Sequence, residues 1–215
     1  MLRKLAFDLL LALAALTYWP LLDERSIEPE SRARSMAFLP LVGFVLGVIL
    51  AIFDRVVGAL SPWSRSLATV VLGALLTLGL ELRGLGDTAA ALRRGARGAA
   101  TGLARIGPLG ALAGLLGFGV EVWLLSLLRD PSRRAAGLVL AMTLSRWAMV
   151  SVGYGLRPVE RWGLGLPYEG GLTFREFSIA SVLALGLAMA LYQNLGLAVI
   201  VALALMILGL RLLFS

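Results

Sequence analysis

The chain has 215 residues, 59% of them hydrophobic and only 15% charged, with 20 Lys and Arg against 13 Asp and Glu for a net charge of +7. A water-soluble domain carries about 25% charged residues, so lipid must be the solvent for much of this surface. With no histidine and no cysteine, imidazole bases, zinc sites, thiol nucleophiles and disulfides are excluded. Carboxylates, arginines, hydroxyls, backbone groups and oxygen-held metals remain for any chemistry.

The N-terminal run MLRKLAFDLLLALAAL has the positive start and apolar core of a leader, but Asp8 interrupts it and more apolar runs follow. It reads as a first membrane helix over roughly 5–20, closed by Trp19-Pro20. A polar loop, LDERSIEPESRARS, leads to a second span from Met36 to Phe53. Pro40, Gly43 and Gly47 lie within it, a pattern that allows a kink and close packing on a neighbour. A short loop with Asp54, Arg55, Pro62, Trp63 and Arg65 precedes a third span over 67–82. The basic stretch LRRGARGAATGLAR follows.

A fourth span over 106–128 contains Glu121, and the loop RDPSRR separates it from a fifth over 135–156, which contains Arg146. After a polar loop at 157–177, the apolar remainder 178–214 is too long for one span, and Gln193-Asn194 marks its turn. The expected fold is therefore all-α: one polytopic membrane domain over residues 1–215, a bundle of six to seven transmembrane helices. Loops one, three and five hold eleven arginines against seven Lys and Arg on the other side, which places them in the cytoplasm by the positive-inside rule. The only lysine is Lys4, and the basic residues are scattered over membrane loops, so a nucleic-acid partner is not expected. Arginine richness suits either the overall composition or an anionic partner such as phosphate or a lipid headgroup.

The stretch GLELRGLGDTAAAL, residues 79–92, sets Glu81, Arg83 and Asp87 at the edge of the third span. On a continued helix Arg83 and Asp87 share a face and pair as a salt bridge. If Gly84-Leu85-Gly86 unwinds instead, Glu81 and Asp87 can offer oxygens to a magnesium ion, with nearby arginines gripping a phosphate. Arg146 lies inside a span, where a lone arginine costs about 2.5–3.5 kcal/mol. It must face the bundle interior, paired with Glu121 or holding a substrate. Pattern alone thus supports a membrane enzyme for phosphate-bearing substrates or a transporter; no paired interrupted helices favour the latter.

Several segments in order resemble the cobalamin synthase family (adenosylcobinamide-GDP ribazoletransferase). They are ALTYWP at 15–20, FLPLVGFVLG at 38–47, TLGLELRGLGDTAAAL at 77–92, ARIGPLG at 104–110, LSRWAMV at 144–150 and GLG at 163–165. The third is similar to that family's T-G-G-L-H-L-D-G-L-A-D-T-A-D-G-L signature, and the fifth matches its S-R-W-A-M helix. The resemblance implies a late step of cobalamin assembly, in which a hydroxyl of α-ribazole or its phosphate attacks adenosylcobinamide-GDP and releases GMP. It also implies magnesium held by Asp87 and Glu81, with Asp87 the catalytic carboxylate. Arg105, Arg146 and Ser145 become substrate-binding residues. The setting it implies is a bacterial or archaeal cytoplasmic membrane with the active side cytoplasmic, and other cobalamin-pathway proteins or a second copy of the chain as partners.

The departures are specific. Arg83 and Ala90 stand where the family has aspartates, Glu81 where it has histidine, and Gly102 and Leu103 where it has Lys and Asp. Its C-terminal Gly-rich T-G-D stretch has no counterpart before Ser215. Arg83 beside Asp87 sets a fixed monovalent cation where the metal would lie, which predicts weak magnesium dependence. A non-catalytic relative that recruits other corrin-pathway enzymes is the rival expectation.

Overall fold

A computed structural model describes residues 2–17, 29–82, 84–86, 88, 108–154, 172–192 and 194–214. Among these the elements are all helical: α1 Leu2–Thr17, α2 Pro29–Met36, α3 Leu39–Val56, α4 Pro62–Leu76, α5 Pro108–Leu127, α6 Pro131–Gly153, α7 Phe174–Tyr192 and α8 Asn194–Phe214. A short helical segment, Leu80–Gly86, follows α4. Among the described residues, four helices (α3, α5, α6 and α7) are long and apolar enough to cross a membrane, or five if α4 and Leu80–Gly86 make one bent span. The expected six to seven is not reached among the described residues: α1 is only 16 residues long and α8 contributes a shorter apolar stretch, Gly196–Gly209. The residues fall into two compact units, Met1–Ile49 with Ala136–Ser215, and Leu50–Ala135.

In the first unit, part of the expected polar loop is helical. Pro29 opens α2, Glu30 lies in its first turn and Arg34 in its last, so fixed φ and the helix dipole both favour the helix. Arg34 Nε lies 3.5 Å from Asp8 Oδ2, which ties α2 to α1. Turn hydrogen bonds from Ala37 N to Arg34 O (3.2 Å) and from Phe38 N to Ser35 O (3.0 Å) separate α2 from α3. Pro40 is therefore the second residue of α3, where its missing N–H breaks no helical bond and causes no kink.

The expected close packing of α3 is present. A Cβ on Gly43 would collide with the Met142 carbonyl oxygen, and one on Gly47 would sit 2.6 Å from Val139 Cα. The two glycines, one turn apart, let α3 and α6 meet backbone to backbone, the small-residue packing that membrane helices use in place of a hydrophobic drive. At the start of α7, Thr173 N donates to Glu176 Oε2 (3.1 Å), the Thr173 hydroxyl donates to the same oxygen, and Arg175 N donates to Thr173 Oγ1 (3.3 Å), so that two otherwise orphaned N–H groups are capped by side chains. Ala180, Ala184 and Ala188 form the buried stripe of α7, and α8 packs on that helix.

In the second unit, charges expected in loops belong to helix ends. Asp54 and Arg55 close α3, Arg65 lies in the first turn of α4 and Arg134 in the first turn of α6. Asp54 is 1% exposed and Arg134 2%. Arg134 Nε donates to both Asp54 carboxylate oxygens (2.8 and 2.9 Å), and its Nη2 to Ser66 Oγ (3.0 Å). Its Nη1 donates to the carbonyls of Leu125 (2.5 Å) and Leu128 (3.4 Å). Arg65 Nη2 (2.5 Å) and the Thr69 hydroxyl (3.0 Å) complete the shell of Asp54. One aspartate and one arginine thereby join the ends of four helices, and Arg134 also caps the C-terminal carbonyls of α5. Such a pair survives burial because its geometry is good and further hydrogen bonds meet most of the lone pairs and protons it carries.

Candidate functional site

The charged cluster begins where α4 stops. At about 1.5 Å per residue, the 15 residues of α4 reach about 22 Å, short of the roughly 30 Å hydrocarbon thickness. Gly79 N bonds Ala74 O (2.7 Å) and Leu78 N bonds Leu75 O (3.2 Å), a pattern that terminates a helix through one left-handed residue. That residue is Leu78, with φ 48°, followed by Gly79 at φ 66°. A glycine normally occupies Leu78's place, since a side chain there costs roughly 1–2 kcal/mol. The chain then turns by 85° into Leu80–Gly86.

The break therefore precedes Glu81 by three residues, and Gly84-Leu85-Gly86 is helical rather than unwound. What Gly86 supplies is proximity: a Cβ on it would lie 2.9 Å from Gly110 O, and one on Gly110 would lie 2.7 Å from Gly86 O. Leu82 meets Gly114 and Leu85 meets Gly117, so the segment runs antiparallel to α5. Glu81 is exposed on it. An exposed carboxylate offers oxygen donors of the kind a hard divalent cation takes, usually one or two together with substrate phosphates. No group of three acidic side chains gathers among the described residues. Asp87, Arg83 and Arg105 lie outside those residues, so the expected pairing of Asp87 with Glu81 or Arg83 has no described geometry.

In the first unit, Arg146 is 2% exposed, as a charge within a span must be unless it snorkels out. Its Nη1 donates to Ser145 Oγ (2.9 Å), and the Ser145 hydroxyl donates to Met142 O (3.1 Å). The hydroxyl thus gives its proton to a carbonyl and accepts from the guanidinium, which it helps to orient. The stem of Arg146 lies over Gly43, where a Cβ would come 2.8 Å from its Cγ. Beside it, Trp147 Nε1 donates to Ser181 Oγ of α7 (3.0 Å), and Tyr154 stacks on Phe177 with ring centroids 4.8 Å apart. Glu121, the expected partner of Arg146, belongs to the other unit. Sequence reasoning missed the Ser145–Arg146 support and Gly43's part in it; the adjacent Ser-Arg pair was the available signal.

Spans of apolar helix with an arginine buried inside one of them define a polytopic helical membrane protein. More particularly, the chain belongs to the cobalamin-5-phosphate synthase family, whose model matches residues 8–215. Its relatives include proteins named adenosylcobinamide-GDP ribazoletransferase. That of Thiobacillus denitrificans is 33% identical over 162 residues, covering 73% of this chain and 65% of the relative. That of Roseiflexus sp. is 32% identical over 185 residues, covering 83% and 68%. That of Synechococcus elongatus is 31% identical over 206 residues, covering 92% and 79%. Against the first two, the chain spans about two thirds of the relative's length. No solved structure matches the chain.

Proposed function

We propose that this chain is a cobalamin synthase-type transferase of a bacterial or archaeal cytoplasmic membrane. It joins α-ribazole, or its phosphate, to adenosylcobinamide-GDP and releases GMP, with the working face cytoplasmic. The observation that carries this reading is the family match over nearly the whole chain, together with relatives that bear one enzyme name. The ribazole hydroxyl attacks the phosphorus that bears the cobinamide, the bond to GMP breaks, and the hydroxyl proton leaves to a carboxylate or to water. Catalysis of this kind is mainly positioning and charge neutralisation.

Arg146, held by Ser145, and Arg105 are substrate-binding residues. Asp87 is the catalytic carboxylate, and Asp87 with Glu81 holds magnesium. When bound there, magnesium would supply positive charge to offset that of the diphosphate. The exposure of Glu81 supports an oxygen-donor site at this edge. A second reading, a non-catalytic partner of other corrin-pathway proteins or of a second copy, is favoured by Arg83 and Ala90 at two aspartate positions.

Turnover in lipid vesicles separates the two. Purified protein receives adenosylcobinamide-GDP and α-ribazole with and without magnesium, alongside Asp87→Asn. Magnesium-dependent GMP release that the variant loses is the expected result. No release from folded, inserted protein would hand the assignment to the scaffold reading, and release without magnesium would leave Arg83 as the cation.

A further inference from the structure

We infer that the end of the Leu50–Ala135 unit where α3, α4, α5 and α6 meet binds the headgroups of anionic phospholipids. The Asp54–Arg65–Arg134 network places the four helix ends together, because side chains or carbonyls from all four are in hydrogen-bond contact there. Each exposed arginine of this end is next in sequence to a member of that network. Arg55 follows Asp54, Arg129 follows Leu128 and Arg133 precedes Arg134, and all three are exposed. With Arg65 and Arg134 they make five arginines against Asp54 and Asp130, a surplus of three positive charges.

Asp54 is consumed inside the network, and Asp130 faces Arg133 at 3.5 Å. Arg55 and Arg129 have no ion-pair partner among the described residues. Two helix N-termini, those of α4 and α6, add partial positive charge to the same end.

The exposed apolar neighbours decide which anion this is. Val56 is 75% exposed, Trp63 58% and Leu127 58%, and Leu60 and Leu128 are exposed beside them. A soluble acidic partner or a free phosphate has no use for a tryptophan and aliphatic side chains set among arginines at the ends of apolar helices. A phospholipid has both, its phosphate level with the arginines and its chains along the apolar flank. Juxtamembrane arginines favour an anionic over a zwitterionic surface, and Arg55 and Arg129, with Arg133 partly offset by Asp130, make a preference of roughly tenfold.

The test uses the full chain in detergent, titrated with phosphatidylglycerol or phosphatidylcholine of equal chain length, with lipid occupancy read by native mass spectrometry. Wild type should retain phosphatidylglycerol roughly tenfold better. Arg55→Gln/Arg129→Gln/Arg133→Gln should fall towards parity, and Arg175→Gln, which removes an exposed charge from α7, should not change. Arg55→Gln/Arg129→Gln, which breaks no ion pair among the described residues, should show part of the loss with unchanged helicity. An undiminished preference in the triple variant overturns the proposal. So does an equal loss in Arg175→Gln, or displacement of the lipid by polyglutamate at matched charge, which would assign the surface to an acidic protein.

Discussion

Replacing Arg134 by methionine should be among the most damaging single changes in the Leu50–Ala135 unit. Methionine follows much of the arginine's aliphatic course, so the cavity term is small and the loss is electrostatic. Removing one partner of a buried pair costs about 3–5 kcal/mol. Asp54 keeps Arg65 at 2.5 Å and Thr69 at 3.0 Å, which offsets part of that. The carbonyls of Leu125 and Leu128, however, lose their side-chain donor, and an unsatisfied buried acceptor costs about 1–3 kcal/mol. A net destabilisation of about 3 kcal/mol follows, measurable by denaturant titration in micelles with tryptophan fluorescence as the probe. Asp54→Leu/Arg134→Met, which removes the charge pair together, should be more stable than Arg134→Met alone. A single variant within about 0.5 kcal/mol of wild type, or a double variant that sums the two single losses, would refute the reasoning that this network holds the helix ends.

Gly110→Ala should cost about 1–3 kcal/mol by overpacking against Gly86 O. Gly119→Ala on the same helix meets nothing within 4 Å and should be neutral or gain up to about 1 kcal/mol of helix propensity; thermal unfolding in one detergent compares them. Leu78→Gly should stabilise the protein by roughly 1 kcal/mol by relieving the left-handed leucine, read as a raised unfolding midpoint. Gly43→Ala should press on Met142 and on the stem of Arg146; in the vesicle assay, GMP release should fall further than the same variant's loss of stability explains.

The apolar runs made the helices legible because lipid imposes a minimum length that few other constraints mimic. The run expected over 36–53 is α3 at Leu39–Val56, and that over 106–128 is α5 at Pro108–Leu127. The division of 178–214 falls between Tyr192 and Asn194. The third span was legible as apolar but not as broken, because the residue that carries the left-handed turn is leucine and the more visible glycines lie further on. The buried state of Arg146 was legible from its depth alone. The Asp54–Arg134 contact was not, since no local pattern links residues 80 positions apart. Of the expected site, Glu81, Ser145 and Arg146 have described surroundings, whereas Asp87 and Arg105 lie outside the described residues.

That same separation has a consequence for biogenesis. Asp54 emerges from the ribosome 80 residues ahead of Arg134 but only 11 ahead of Arg65. At roughly 5–20 residues per second, the nascent chain waits about 4–16 seconds between the acid and its second cation. Arg65 is the interim counter-ion that lets α3 settle with its acidic end shielded. Arg134 follows with the turn into α6 and completes the network as its second cation.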